Sequence, residues 1–278
     1  MRRTIALATP YLTGLVLLIA LPAAAASVLA FTEFSGVQPP RFTGADNLRR
    51  LAGDRALWRS VGNTAIYIVL AVPLRLAAAT AFALLLQRHT RTTAVARPVA
   101  YLPTVVPDVA YALLWLWLLN PLYGPIAASL GSAGILTEPW GARIALPVLG
   151  AFQIGEAFVV ALAARRSISP SIYEAAAVDG ASPWFTFSRL TLRLMAPVLA
   201  LLALRDVILS LQVNFVPALL MTQGGPRYAT TYVPLYVYQT AFRYFRLGYA
   251  STIALTMFLL TVAIVFVQYR IARRWRPA

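Results

Sequence analysis

The sequence predicts an all-α membrane protein with six transmembrane helices. Three observations carry that expectation. Of 278 residues, 60% are hydrophobic and 12% charged, against roughly 45–50% and about 25% in soluble domains. A chain this apolar cannot cover itself with a solvated surface, so its outside faces lipid. Six runs reach the ~20 apolar residues that a spanning helix requires. Most charged residues fall between these runs rather than inside them.

The six runs cover residues 5–31, 65–86, 99–119, 144–164, 196–221 and 250–269. Their length argues for helices, since every backbone polar group must be satisfied within the segment once water is excluded. The first run follows Arg2 and Arg3 and passes small residues at Ala23–Ala26, so a cleaved signal peptide competes with a retained span. It continues through Val28, Leu29 and Phe31, longer than a signal core, which favours an uncleaved first span. No long Ser/Gly linker interrupts the chain, and it is expected to form a single transmembrane domain over residues 1–278.

Charge sets the orientation. The chain has 24 Lys+Arg against 9 Asp+Glu, net +15, and every one of those basic residues is arginine. The arginines sit between apolar runs, as in loops near headgroups, a pattern that points to a membrane surface and away from nucleic acid. The segment between the second and third runs (Arg88, Arg91, Arg97) and the C-terminal tail (Arg270, Arg273, Arg274, Arg276) are strongly basic. The positive-inside rule then places both termini in the cytoplasm. Residues 32–61 and 222–247 become outer loops, and residues 165–195 an inner excursion. Cysteine is absent and His89 is the one histidine. Disulfides, thiol catalysis and His/Cys metal sites are therefore excluded.

The inner excursion carries the most local information. Ser169 and Pro170 suit a helix start, and Ser171 with Glu174 also fits capping-box spacing. Gly180 is placed to end that helix in a left-handed conformation. Ser182 and Pro183 then open a second helix with Trp184, Phe185 and Phe187. Such a helix–Gly–helix suits docking into a partner's groove, and equally an interfacial helix resting on headgroups.

Within it, Glu174, Ala175, Ala176, Asp179, Gly180, Ala181, Trp184, Phe187, Leu190, Thr191 and Leu192 resemble the EAA loop of binding-protein-dependent ABC importer permeases. One departure is plain: Arg193 stands where the family usually has proline, with Pro197 four residues later. A second stretch resembles the signature of sugar permeases of the maltose, glycerol-phosphate and trehalose type. It comprises Thr222, Gly224, Gly225, Pro226, Thr230, Tyr238, Ala241, Phe242, Gly248, Tyr249, Ala250 and Ser251. Gly44, Asn47 and Leu51, Asn63 with Thr64, and Asn120, Pro121 and Gly124 agree with it.

The resemblance implies a type I ABC importer permease fold in a bacterial inner (plasma) membrane. It further implies a non-catalytic subunit, partnered by an ATPase dimer, a second homologous permease and a periplasmic or lipid-anchored solute-binding protein. ATP and Mg would bind the ATPase subunits, in keeping with a chain that lacks the lysine of a P-loop. The resemblance assigns ATPase coupling to Tyr173, Glu174, Ala175, Ala176, Asp179, Gly180, Ala181 and Trp184. Glu174 would pair with a positive residue of the ATPase or cap its own helix. Ionisable groups inside spans are costly and mark functional positions, which singles out Asp108, Glu156, Arg75, Arg205 and Asp206. Intramembrane pairing is the alternative for these. Gln153, Glu156, Gln212 and Asn214 are the substrate-pathway choices, while Tyr111, Trp115 and Trp117 suit either stacking on a sugar or helix packing. The cargo stays open between a neutral sugar and an anionic glycerol phosphate. A stand-alone secondary transporter would also have six spans and buried charges, without a reason for the helix–Gly–helix.

Overall fold

The computed structural model describes residues 2–126, 134–212 and 214–274. The chain opens with α1 (Arg2–Leu15), a π-helical turn and α2 (Leu21–Leu29). A short antiparallel pair follows, β1 (Thr32–Glu33) against β2 (Arg41–Phe42), with Thr32 opposite Phe42. Next come α3 (Asp46–Gly53), α4 (Arg55–Leu85), α5 (Arg91–Val105) and α6 (Asp108–Leu118). The second half holds α7 (Pro139–Gly150), α8 (Gly155–Arg166), α9 (Pro170–Val178), α10 (Leu192–Ser210), α11 (Val233–Tyr238) and α12 (Leu247–Arg274).

Among the described residues, four helical runs are long and apolar enough to cross a bilayer: Thr9–Leu29, Arg55–Leu85, Pro183–Thr222 and Leu247–Arg270. Two bent pairs, α5 with α6 (98°) and α7 with α8 (53°), make six when each pair is one span. The spans expected as single helices over 99–119 and 144–164 are thus both broken. At the first break Val106 is extended (φ −68°, ψ 127°) because Pro107 disfavours helical backbone in the residue before it and donates no N–H. At the second, α8 restarts at Gly155, whose N–H donates to Thr104 Oγ1 at 2.8 Å. A Cβ on Gly155 would lie 2.5 Å from that oxygen, so only glycine lets α5 approach the new helix end.

The inner excursion also differs from expectation. Its second helix is not a separate piece: Pro183–Phe185, a π-helical stretch at Thr186–Thr191 and α10 follow one another without a gap. Arg193 explains the continuity, since it supplies the backbone N–H that a proline would remove.

The chain forms two compact units. One is built from the chain up to Trp58 and from Leu235 onward; the other is Arg59–Pro234. In the first, α2 packs on α12. Asn47 Nδ2 donates to the carbonyls of Ala30 (3.2 Å) and Thr32 (2.8 Å), and Thr252 Oγ1 to Ala30 (2.6 Å). No residue of Thr9–Leu29 is buried. In the second unit, Ala79 and Ala83 of α4 meet Phe158, Ala161 and Leu162 of α8 and Met195 and Leu202 of α10. Ala79, Ala83 and Ala161 are fully buried; small residues at such positions let membrane helices approach closely.

Candidate functional site

The helix–Gly–helix is built as a rigid corner. α9 begins at Pro170, and Ser169 Oγ pairs with Ser171 Oγ (2.7 Å) rather than capping the helix. The Ser171–Glu174 capping box does not form, because the helix starts one residue before Ser171. At the far end Ala181 N–H reaches Ala176 O (2.9 Å) and Gly180 N–H reaches Ala177 O (3.1 Å). These two bonds are a Schellman closure. Gly180 takes φ +73°, the left-handed value that the closure requires and that glycine alone adopts without cost. Ser182 Oγ then accepts from Phe185 N–H (3.2 Å), capping the next helix.

Tyr173 fastens this corner. Its hydroxyl lies 3.2 Å from Thr191 Oγ1, and the Arg165 guanidinium stands 4.2 Å from its ring centre. Ala176 is buried, whereas Glu174, Ala175, Asp179, Gly180 and Trp184 are exposed. Trp184 stacks obliquely on Phe187 (5.5 Å) and is 72% exposed. Ala175, Ala176, Asp179, Gly180, Ala181 and Phe185 line an open depression. Glu174 has no hydrogen bond or ion pair among the described residues. The coupling positions read from the sequence are therefore brought together on one surface, with Tyr173 as the side chain that holds it in place.

A polar cluster sits where the fourth span breaks. The Arg75 guanidinium donates to Gly150 O (3.1 Å), Asp206 Oδ1 (3.0 Å), Ser210 Oγ (3.3 Å) and Tyr67 OH (2.6 Å). Arg205 pairs with Glu156. Four of the five intramembrane charges thus form pairs, and Asp108 has no partner among the described residues. Gln153 and Glu156 share a cavity of about 310 Å³ with Arg75, Asp108, Arg205 and Asp206. The structure does not bring Gln212 or Asn214 there: Gln212 is exposed elsewhere, and Asn214 is buried with its Nδ2 on Ser210 O (3.0 Å). Tyr111 donates to Leu149 O (2.7 Å), and Trp115 packs on Phe152, so both serve helix packing.

The Thr-x-Gly-Gly-Pro loop is tightly knotted. Thr222 and Thr230 hydroxyls meet at 2.6 Å, and Thr230 Oγ1 donates to Gly225 O (2.7 Å). Asn63, near the start of α4, donates to Tyr228 O (2.7 Å) and Thr231 O (3.2 Å) and accepts from Arg143 (3.2 Å). Thr64 Oγ1 accepts from Val233 N–H (3.0 Å). The Asn-Thr pair at the start of the second span is thus the clamp for a loop more than 160 residues away.

Sequence reading missed Asp54. Its Oδ1 accepts from the N–H groups of Ala56 and Leu57 (both 3.0 Å), capping α4. Its Oδ2 accepts from the hydroxyls of Tyr236 (2.7 Å) and Tyr249 (2.6 Å). Burial pushes the carboxyl upward, but the bonds from Tyr249, Leu57, Tyr236 and Ala56 outweigh it and hold Asp54 below its ordinary value. Asp-x-x-Leu before a long apolar run was an available cap signal; the two tyrosines were not readable as its partners.

Residues 71–277 match the family model for binding-protein-dependent transport system inner membrane components, and the chain belongs to that family. It is a multi-pass permease of the ABC importer class. It is similar to the probable ABC transporter permease YesP of Bacillus subtilis, at 31% identity over 96% of this chain and 89% of that one. Similarity extends to the lactose transport system permease LacF of Rhizobium radiobacter (31%, 84% and 82%) and the trehalose/maltose permease MalF of Thermococcus litoralis (30%, 84% and 80%). Its fold matches the crystal structure of a bacterial ABC transporter involved in import of the acidic polysaccharide alginate, with TM-score 0.86 at 23% identity over 99% of this chain and 96% of that chain.

Proposed function

We propose that this permease moves a carbohydrate inward across a bacterial inner membrane, driven by ATP hydrolysis on a separate ATPase dimer. The observation that carries the reading is the helix–Gly–helix corner, with an open depression and an exposed Glu174 that has no partner among the described residues. It faces the cytoplasm together with both termini, and the ATPase, which binds ATP and Mg, docks there. Glu174 meets a basic residue of the ATPase, and Ala175, Ala176 and Gly180 permit close approach. A second, homologous permease completes the pathway and covers part of the exposed first span. An extracytoplasmic binding protein delivers the cargo. The carbohydrate reading rests on relatives named for lactose and for trehalose and maltose. Gln153 and Glu156 line the solute's route, while Gln212 and Asn214 lie outside the cavity that those two share.

The test is recovery of the complex from detergent-solubilised native membranes through a C-terminal tag. An ATPase, a second permease and a solute-binding protein are expected, with the ATPase lost when Glu174→Lys is introduced. Recovery of this chain alone, still moving solute without ATP, would overturn the reading in favour of a secondary transporter.

A further inference from the structure

The cavity at the break of the fourth span has a charge balance that bears on the cargo left open by the sequence. Five ionisable residues line it: Arg75, Arg205, Asp108, Glu156 and Asp206. Arg75 is fully engaged, and Arg205 is paired through one of its nitrogens. All three guanidinium nitrogens of Arg75 donate to groups of the protein, and Arg205 is paired with Glu156. The acceptors are not used up. Asp206 Oδ2 has no hydrogen-bond partner but is closed off from solvent, whereas Asp108 is exposed and has no partner among the described residues. Asp108 stands in the first turn of α6, where the positive end of the helix dipole favours a charged carboxylate without a counter-ion. Gln153 adds an amide that both donates and accepts.

What remains for a solute is therefore a set of acceptors with one excess negative charge. Hydroxyl groups satisfy such a set by donating to it. An anionic solute would meet like charge, and the one cation with donors to spare, Arg205, is already held against Glu156. At about 310 Å³ the cavity falls at the small end of ligand sites, which run ~300–1,000 Å³. We infer that this cavity selects a neutral polyhydroxylated solute and rejects phosphorylated or uronate sugars, with Asp108 as the specificity-determining carboxylate. The inference rests on the carbohydrate-importer reading.

The test uses the purified importer complex in detergent. Thermal unfolding is followed with trehalose, maltose and lactose, and separately with glycerol 3-phosphate and galacturonate. Neutral sugars are expected to raise the midpoint and the anions to leave it unchanged. Asp108→Arg should reverse the preference, weakening the apparent affinity for neutral sugar about tenfold and allowing the anions to stabilise. Equal stabilisation of the unmodified complex by anions, or no shift with any probe, overturns the inference. ATP-driven uptake in proteoliposomes separates the two levels. Uptake of an anionic sugar as fast as a neutral one sinks the charge selection and leaves the importer reading standing. Absence of ATP-driven uptake of every carbohydrate sinks both.

Discussion

The Arg75 Nε lies 3.1 Å from the carbonyl oxygen of Gly150, the last residue of α7. With Gln153 N–H on the same oxygen (3.2 Å) and Tyr111 OH on Leu149 O (2.7 Å), this bond helps the fourth span to break inside a bilayer. A carbonyl released from a helix ladder in lipid must find another donor, and Arg75 supplies it from α4. The same guanidinium ties Asp206 and Ser210 of α10. Span two, the broken span four and span five are therefore held at one point.

Two substitutions test that point. A Cβ on Gly150 would lie 2.5 Å from Arg75 Nη2, so Gly150→Ala must displace the guanidinium. Arg75→Ala leaves Asp206 buried without its counter-ion, and removing one partner of a buried pair costs about 3–5 kcal/mol. Both variants should unfold at lower temperature in detergent. The double variant Arg75→Ala/Asp206→Ala should recover part of the loss, because neither charge is then left alone. Equal losses in the single and double variants would contradict the pairing.

The acid limb of stability should report Asp54. Its folded value is held below the ordinary 3.8, by hydrogen bonds that outweigh burial. A carboxylate lowered in the folded state stabilises at pH above its unfolded value, and that contribution is lost as pH falls through the folded value. Between about pH 5 and the lowered value, Asp54→Asn should flatten the fall in stability with acid. At neutral pH the same change keeps the N-cap, for which asparagine serves as well as aspartate, but puts an amide nitrogen where Oδ2 accepts from two tyrosines, a cost of about 1 kcal/mol. An unchanged acid limb in Asp54→Asn would assign the effect elsewhere.

The coupling corner yields a graded series at Gly180. A Cβ at this position would meet nothing within 4 Å, so the restriction is conformational rather than steric. Asparagine tolerates left-handed backbone and β-branched residues do not. Coupling of ATP hydrolysis to transport should fall in the order glycine, asparagine, valine. Gly180→Asp and Glu174→Lys should uncouple the two while membrane insertion is spared. Normal transport by Glu174→Lys in reconstituted vesicles would remove Glu174 from the coupling role.

The apolar runs were legible because length and composition alone set a spanning helix. Where they break was not, although the causes lie in the sequence. Pro107 sits inside the third run and stops its helix. The fourth run breaks after Gly150, past Pro147, which its helix accommodates, at a position fixed by Arg75 and Thr104 from other spans, which no local pattern contains. The corner was readable residue by residue because its signals are short range: Pro170, Gly180 and Ser182 act on their neighbours. Its continuity into α10 goes with Arg193, which stands where the family usually has proline. Glu156 was found as a costly intramembrane charge, but its partner Arg205, 49 residues away, is a tertiary fact. Asn214 looked like a pathway residue by the same polarity argument, and the fold instead turns its amide onto its own backbone.

Asn63 offers the sharpest separation between a packing role and a clamp. Its amide meets three partners: the carbonyls of Tyr228 and Thr231, and the Arg143 guanidinium. Asn63→Leu keeps the volume and removes every one of them, leaving the buried Thr231 carbonyl without its amide donor. Each unsatisfied buried group costs about 1–3 kcal/mol, enough to release the 228–231 segment from α4. Asn63→Asp retains the acceptor for Arg143 and places a charge against two carbonyls, so it should be worse for the loop while preserving the arginine contact. Limited trypsin cleavage after Arg227 reads the difference. Cleavage should be slow in the unaltered protein, faster in Asn63→Leu and fastest in Asn63→Asp, with Arg143→Ala intermediate because it loses its bonds to Asn63 and to Ala229 O but leaves both amide bonds of Asn63 in place. If the loop serves as a docking surface, stimulation of ATP hydrolysis by the binding protein should fall in the same order. Cleavage rates that do not change across the series would mean that the threonine knot, through Thr222 and Thr230, holds the loop without help from the second span.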